Sequence, residues 1–422
     1  MCFLDILYFI NIYNSAVMND RKVRQYDNCR LCNHNTLAEV FSLGNQYIND
    51  FVDESHIGEG TQAPLEIVHC QNCDLAQLKH TAPQELLYSR QYWYRSGVTD
   101  TMKAELKNIV DEVQSMIPLA DNDIVLDIGA NDGTMLEYFN KGIVRVGCEP
   151  ANNLVEELSK RCDITIHDFW SASAYFNAIK ARGFSQKAKV VSAIGMFYDL
   201  DDPISFVSDI EKVLDDDGIF VAQLMTLAPM LEKNDLGNIC HEHIEFYSYE
   251  SLVYMYEKCN LEIFQVSENS VNGGSYRIYA RKLKNGSITY PEKATKQDLI
   301  DFKGRIDDIK ESCLTFLKQE KAAGKSIHVY GASTKGNVIL QYFGLDTNLI
   351  DYASERSPEK FGRYTVGSWI PIISEDESRK MQPDYYFVLP WAFFDEMYAR
   401  EYDWLSKGGK FIVPFPNFRI VD

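Results

Sequence analysis

Ten residues, Val125-Leu126-Asp127-Ile128-Gly129-Ala130-Asn131-Asp132-Gly133-Thr134, constrain this chain more than any other segment. An apolar run ends in an acidic residue, a loop with two glycines follows, and Met135-Leu136-Glu137-Tyr138-Phe139 then reads as a helix. That order is a strand, turn and helix of a doubly wound α/β sheet, where ligands sit at the carboxyl ends of strands. Glycine lets the backbone approach a ligand closely and take positive φ. The spacing is not Gly-x-Gly-x-x-Gly, so a pyrophosphate is not the expected ligand. Glu149, in Val146-Gly147-Cys148-Glu149-Pro150, closes a second short strand, where a carboxylate can accept hydrogen bonds from a ribose diol.

The 422 residues suffice for two or three domains. A net charge of −19 argues against nucleic acid, whose binding rests on Lys and Arg contacts to phosphate. It leaves room for a small anionic ligand, because local basic groups suffice. Four of the ten cysteines fall in Cys-x-x-Cys pairs, which suggests a reducing compartment, hence the cytoplasm. Residues 1–25 read as a leader. Its first part is apolar but carries Asp5, Asn11 and Asn14, lacks a basic start and is too interrupted to span a bilayer, and Met18 opens a more usual polar beginning. No membrane is expected as a partner.

Four further blocks follow. Residues 26–82 are turn-rich and bear the cysteine pairs. Residues 83–285 alternate helices with strands at 124–126, 144–148, 164–166, 190–194, 219–225 and 276–281, the last two suiting an antiparallel sheet end. Residues 286–325 hold a linker helix with Leu299, Phe302, Ile306, Ile309, Cys313 and Phe316 at helical spacing. Residues 326–422 open a second α/β unit, with strands at 327–330, 349–353, 385–389 and 410–413.

Cys29-x-x-Cys32 and Cys70-x-x-Cys73 form two knuckles, each placing two thiolates on one tight turn. Together they complete a tetrahedral four-sulfur zinc shell with no open position, so the metal is structural. His34 and His69 stand beside the knuckles as substitutes. A small segment with little core is where a structural metal matters most.

The chemical centre is Gly237-Asn238-Ile239-Cys240-His241-Glu242-His243-Ile244-Glu245-Phe246. In extended backbone His241 and His243 point to one side and Glu242 to the other. Imidazole exchanges a proton near neutral pH, and a nearby carboxylate sets its tautomer. The HExxH spacing that puts two histidines on one helical face is missing, which disfavours a second metal.

Taken together, the two knuckles, Tyr88 through Ser96, the VLDIGANDGT loop, the NICHEH run, Asn272-Gly273-Gly274-Ser275-Tyr276-Arg277 and Tyr330-Gly331-Ala332-Ser333-Thr334-Lys335-Gly336-Asn337 resemble the zinc-containing sugar C-methyltransferases of deoxysugar biosynthesis. These are class I S-adenosylmethionine-dependent enzymes acting on nucleotide-linked ketosugars, and the resemblance covers nearly everything after Asp27. It implies an α/β fold: a Rossmann-like methyltransferase domain, preceded by a small zinc-binding domain and followed by a second Rossmann-like domain that holds no dinucleotide. It implies His243 as general base with Glu242 in the active site. Tyr92, Tyr94 or His241 would supply a donor to the oxyanion. Asp127, Gly129, Asn131 and Gly133 would flank the methionine part of S-adenosylmethionine and Glu149 its ribose. Asp168 would accept from the adenine amine and Phe169 cover the ring, although Asp in such a loop also serves as a helix N-cap. The Gly331–Asn337 loop would help form the nucleotide-sugar cleft. Two positions depart from the family pattern: Cys240 stands where Tyr often precedes the HEH run, and Gly195-Met196-Phe197-Tyr198-Asp199 lacks a His some members carry. The competing readings are an O- or N-methyltransferase of another small molecule, and a zinc-bearing binding module with a relic cofactor fold.

Overall fold

The computed structural model describes residues 22–83, 86–87, 95–269, 271–291 and 294–422. Most of the leader, and the aromatic cluster with Tyr92 and Tyr94, lie outside the described residues.

The N-terminal unit is an antiparallel sheet built on long strands rather than short turns: β1 (Leu37–Tyr47), β2 (Gln62–Cys70) and β3 (Ala76–Leu78). Its fourth strand is borrowed. Glu245–Phe246, just past the HEH run, pairs with β3 through Glu245↔Gln77 and Phe246↔Ala76. The HEH segment is thereby stitched to the zinc unit by main-chain hydrogen bonds.

The central sheet contains β4 (Ile124–Ile128), β5 (Val144–Cys148), β6 (Ile164–Ile166), β7 (Ala188–Ile194), β8 (Leu214–Leu224), β9 (Leu261–Asn269) and β10 (Ser275–Lys282). Their order is β9-β10-β8-β7-β4-β5-β6. All run parallel except β10, which is antiparallel to both neighbours. Strand β9 was not anticipated from the sequence, because Leu261-Glu262-Ile263-Phe264 mixes alternation with a solid apolar run. The order reverses between β4 and β7, and a crevice opens at such a switch. All five residues of β4 are buried, as expected of a central parallel strand. Helix α1 (Asp100–Met116), capped by Thr99 accepting from Met102 N, packs Leu106, Ile109, Val110 and Val113 on one face of this sheet.

The expected helix after the glycine loop shrinks to a single 3₁₀ turn, Leu136–Tyr138. The turn at Asn140–Gly142, with Gly142 at φ 98°, sends the chain straight into β5.

The C-terminal unit begins with α2 (Lys296–Ala322), started by a capping box between Thr295 and Asp298. It buries Leu299, Phe302, Ile306, Ile309, Cys313 and Leu317, each worth about 1.5–3 kcal/mol when fully removed from water. They pack into the core of β11 (Ile327–Tyr330), α3 (Thr334–Phe343), β12 (Tyr352–Glu355), β13 (Ile372–Ser374), β14 (Tyr385–Val388), β15 (Lys410–Val413) and β16 (Arg419–Val421). The helix is therefore part of a core that this unit shares with Leu43, Leu65 and Ile67 of the zinc unit, and Phe302 meets the Phe41 ring. The strand order is β13-β12-β11-β14-β15-β16, parallel except for β16. The strand expected at 349–353 begins later, at Tyr352, because Asp346 caps a turn over 346–350. Among the described residues no helix is long and apolar enough to cross a membrane.

Candidate active site

The two knuckles fold identically. Cys29 O accepts from Asn33 N and Cys70 O from Asp74 N, while the amides of Cys29 and Cys70 donate to His34 O and Leu75 O. Asn33 and Asp74 sit at φ 60° and 63°, a left-handed conformation that Asn and Asp tolerate best after glycine. The four sulfurs converge within 4.8 Å of one another, and Cys29–Cys73 and Cys32–Cys70 stand 3.5 Å apart across the knuckles. Zn–S bonds of about 2.3 Å in a tetrahedron need sulfurs separated by about 3.8 Å, so the four thiols fit zinc. His69 instead bonds Asp74 at 2.9 Å and His34 is exposed, so neither substitutes.

A cavity of about 680 Å³ opens at the switch point. Asp127, Gly129, Asn131, Glu149 and Phe169 line it from the central sheet. Gly129 sits at φ 69°, and a Cβ there would lie 2.8 Å from Met196 Cγ. Gly133, at φ 78°, is packed under Leu158 behind the lining and serves the turn. Both oxygens of Glu149 accept backbone amides, Oε2 from Asn131 and Oε1 from Ala151. Burial nonetheless holds its carboxyl above the usual range. Asp127 accepts from Ser192 Oγ at 2.8 Å, yet burial, aided by Glu149, pushes it up to about 7. Asn131 Oδ1 accepts from Ser96 N and Asp132 from Gly97 N, which docks the segment before α1 over the loop. Asp168 is exposed outside the lining and accepts from its neighbour Phe169 N, while the N-cap of the following helix is Ser171.

The HEH run is not extended. A 3₁₀ turn, Leu236–Asn238, leads into bends, and His243 N donates to Cys240 O across a tight turn. The two histidines therefore part company, against the alternation read from sequence. His241 turns away from the cavity and, buried against the zinc unit, donates from Nε2 to Ala63 O at 3.0 Å. Burial lowers its pKa to about 4, and it does not line the cavity, so it is misplaced as an oxyanion donor. Glu242 and His243 both line the cavity. His243 Nδ1 lies 2.9 Å from Asn238 O and 2.9 Å from Asn238 Oδ1. A main-chain carbonyl only accepts, so Nδ1 carries the proton and Nε2 keeps its lone pair. Burial, reinforced by the charge of Lys335, holds His243 well below its usual pKa and therefore neutral. Glu242 accepts from Asn49 Nδ2 of the zinc unit at 3.0 Å. Burial raises Glu242, and raises Asp199 well above the carboxylate range with Glu242 and Glu245 adding to it. At the departing positions, Cys240 lines the cavity, and the Tyr198 ring meets His243 edge-on with centroids 4.3 Å apart.

Three contributors went unassigned in sequence. Asn238 lay inside the NICHEH run and Lys335 inside the second glycine loop, each quoted for its motif only. Asn49 carries no local signal at all.

Comparison with known proteins follows this division. A family model for a zinc-binding domain matches residues 29–88, one for a methyltransferase domain 100–266, and one for a C-methyltransferase C-terminal domain 270–416. The C-methyltransferase NovU of Streptomyces niveus is 29% identical over 414 residues, 94% of this chain and 98% of its own. Among solved structures, the mitomycin 7-O-methyltransferase MmcR is 16% identical over 43% of this chain and 54% of its own, with a TM-score of 0.33. The magnesium protoporphyrin IX methyltransferase ChlM from Synechocystis PCC 6803 with bound SAH is 9% identical over 45% and 90%, with a TM-score of 0.34. The three consecutive family matches, the full-length relative, the switch-point cavity and the four-sulfur cluster agree: the chain is an S-adenosylmethionine-dependent C-methyltransferase whose four-cysteine site fits zinc.

Proposed function

We propose that this enzyme methylates carbon next to the carbonyl of a nucleotide-linked ketosugar, with His243 as the general base. The observation that carries the reading is the tautomer of His243: Nδ1 is held by Asn238, which leaves Nε2 as the proton acceptor of a cavity-lining residue. S-adenosylmethionine supplies an electrophilic methyl group on sulfonium. Asp127, Gly129 and Asn131 would hold its methionine part, Glu149 its ribose, and Phe169 its adenine. The α C–H proton would pass to His243 Nε2 and its electron pair into the enolate, which would be the nucleophile for the methyl group that the cofactor supplies. Glu242, fixed by Asn49, would orient the acceptor. The sugar class rests on the family resemblance and on a cavity shared by the central and C-terminal units, through residues such as Met225 and Lys335.

The test is solvent deuterium exchange and methyl transfer with a panel of nucleotide-linked ketosugars. Wild type should exchange the α proton. Loss of a positioned base typically costs about 10²–10⁴ in rate. His243→Asn should lose that much in both exchange and methylation, while S-adenosylmethionine affinity stays near wild type. The wild-type rate should rise with pH through a histidine titration lying below the usual histidine range. Wild-type exchange surviving in His243→Asn would place the base elsewhere.

A further inference from the structure

We infer that Lys335, delivered by the C-terminal domain, is a catalytic residue that steadies the enolate oxygen while His243 removes the proton; this rests on the proposed C-methylation.

The chemistry requires a group there. Removing a proton beside a carbonyl places negative charge on its oxygen, and a preorganised donor or cation at that point is usually the largest single source of rate. His241 faces Ala63, and Tyr92 and Tyr94 lie outside the described residues. Among the described residues lining the cavity, Lys335 is the single Lys or Arg, and the acidic side chains there include Asp127, Glu149, Asp199 and Glu242.

Its surroundings leave the ammonium available to an incoming oxygen. An ammonium has three donors. Lys335 Nζ directs one to the thioether of Met225 at 2.8 Å, a weak acceptor, and another to Asn238 Oδ1 at 3.5 Å. Asp199 and Asp235 feel its charge, but neither is among its hydrogen-bond partners. Asn238 Oδ1 is also the atom that receives His243 Nδ1. One amide oxygen thus links the base to the cation, which keeps them close together, as the α carbon and carbonyl oxygen of one acceptor require.

The fold explains how a distant domain reaches this point. Ser333 caps α3 by accepting from Gly336 N, which sets Lys335 in the first turn. That turn packs on Leu236–Asn238, and at Gly237 a Cβ would lie 3.1 Å from Lys335 Cβ and 3.2 Å from Lys335 O. Only a residue without a side chain lets the two backbones meet this closely.

The experiment uses the full-length, zinc-loaded enzyme. Exchange of the acceptor proton, methyl transfer, and S-adenosylmethionine affinity by calorimetry are measured for wild type, Lys335→Met and Lys335→Arg. Lys335→Met should lower kcat for both exchange and methylation by about 10²–10³, the scale of a lost oxyanion partner. Cofactor affinity should not move, and Lys335→Arg should recover part of the rate. A second readout separates chemistry from folding. Lys335 is the charge that helps hold His243 low, so removing the cation should shift the midpoint of the pH–rate rise upward. A raised KM with unchanged kcat would mean that Lys335 holds another anionic part of the acceptor, and would overturn the inference. So would equal exchange in wild type and Lys335→Met. If wild type exchanges no ketosugar proton, the proposed function itself falls, an outcome visible before any variant is made.

Discussion

Among the described residues the molecule builds the same crevice twice, once open and once plugged. In the central sheet β4 ends at Gly129, at φ 69°, whose amide donates to Cys148 O on the neighbouring strand, and the next residue is Glu149. In the C-terminal sheet β11 ends at Gly331, at φ 85°, whose amide donates to Ser354 O, and the next residue is Glu355. The first carboxylate meets backbone amides and the cavity. The second is bound at 3.1 Å by Lys360, which also donates to Ala332 O in the glycine loop. Pro390 covers Gly331 so closely that a Cβ there would lie 2.7 Å from its ring. The lesson is that a strand, glycine and acid define a place for a ligand, but a lysine and a proline from elsewhere in the chain can fill it. The second unit is then free to present the first turn of α3 to the first crevice.

The largest expected effect comes from unplugging the second crevice. Glu355→Ala leaves the buried Lys360 ammonium without its carboxylate, and breaking a buried pair costs about 3–5 kcal/mol. Thermal unfolding should show that loss, with S-adenosylmethionine affinity unchanged. A parallel loss of affinity would dissolve the contrast between the crevices.

Glu149→Ala should show the reverse pattern. Losing hydrogen bonds to a charged group weakens cofactor binding by about 1.5–3 kcal/mol, roughly tenfold to a hundredfold or more. Equal affinity for wild type and variant in calorimetry would remove Glu149 from the ribose site.

The smallest effect is a pH dependence that the second crevice lacks, since Val329 stands where the first has Asp127. Burial holds Asp127 protonated up to about pH 7 in the free protein, whereas the unfolded chain releases that proton near pH 4. The stabilising contribution is complete at low pH and is lost as pH rises through about 7. The cofactor's sulfonium favours the ionised form, so binding should release a proton. Affinity should then improve by about a few-fold as pH rises toward 7 and level off above it. Asp127→Asn should flatten that curve. A flat wild-type curve would mean that Asp127 does not meet the cofactor's charge.

What the sequence determined by itself was local. Paired cysteines on tight turns announce a four-sulfur site because each knuckle is closed by its own backbone. Asp127, Gly129 and Glu149 were legible because strand ends and positive-φ turns leave a signature within a few residues. Where local patterns were stretched further they misled. The HEH run read as extended, yet turns at both ends and the Glu245–Phe246 strand pairing send His241 to Ala63 and His243 to Asn238. The residues that complete the site come from far along the chain: Asn49 reaches Glu242 from the zinc unit, and Lys335 reaches Asn238 from the C-terminal unit. No spacing encodes such meetings. The approach of Gly237 to the backbone of α3, and the plug of Lys360 and Pro390, depend on how whole sheets pack, and that packing is settled by burial summed over many side chains.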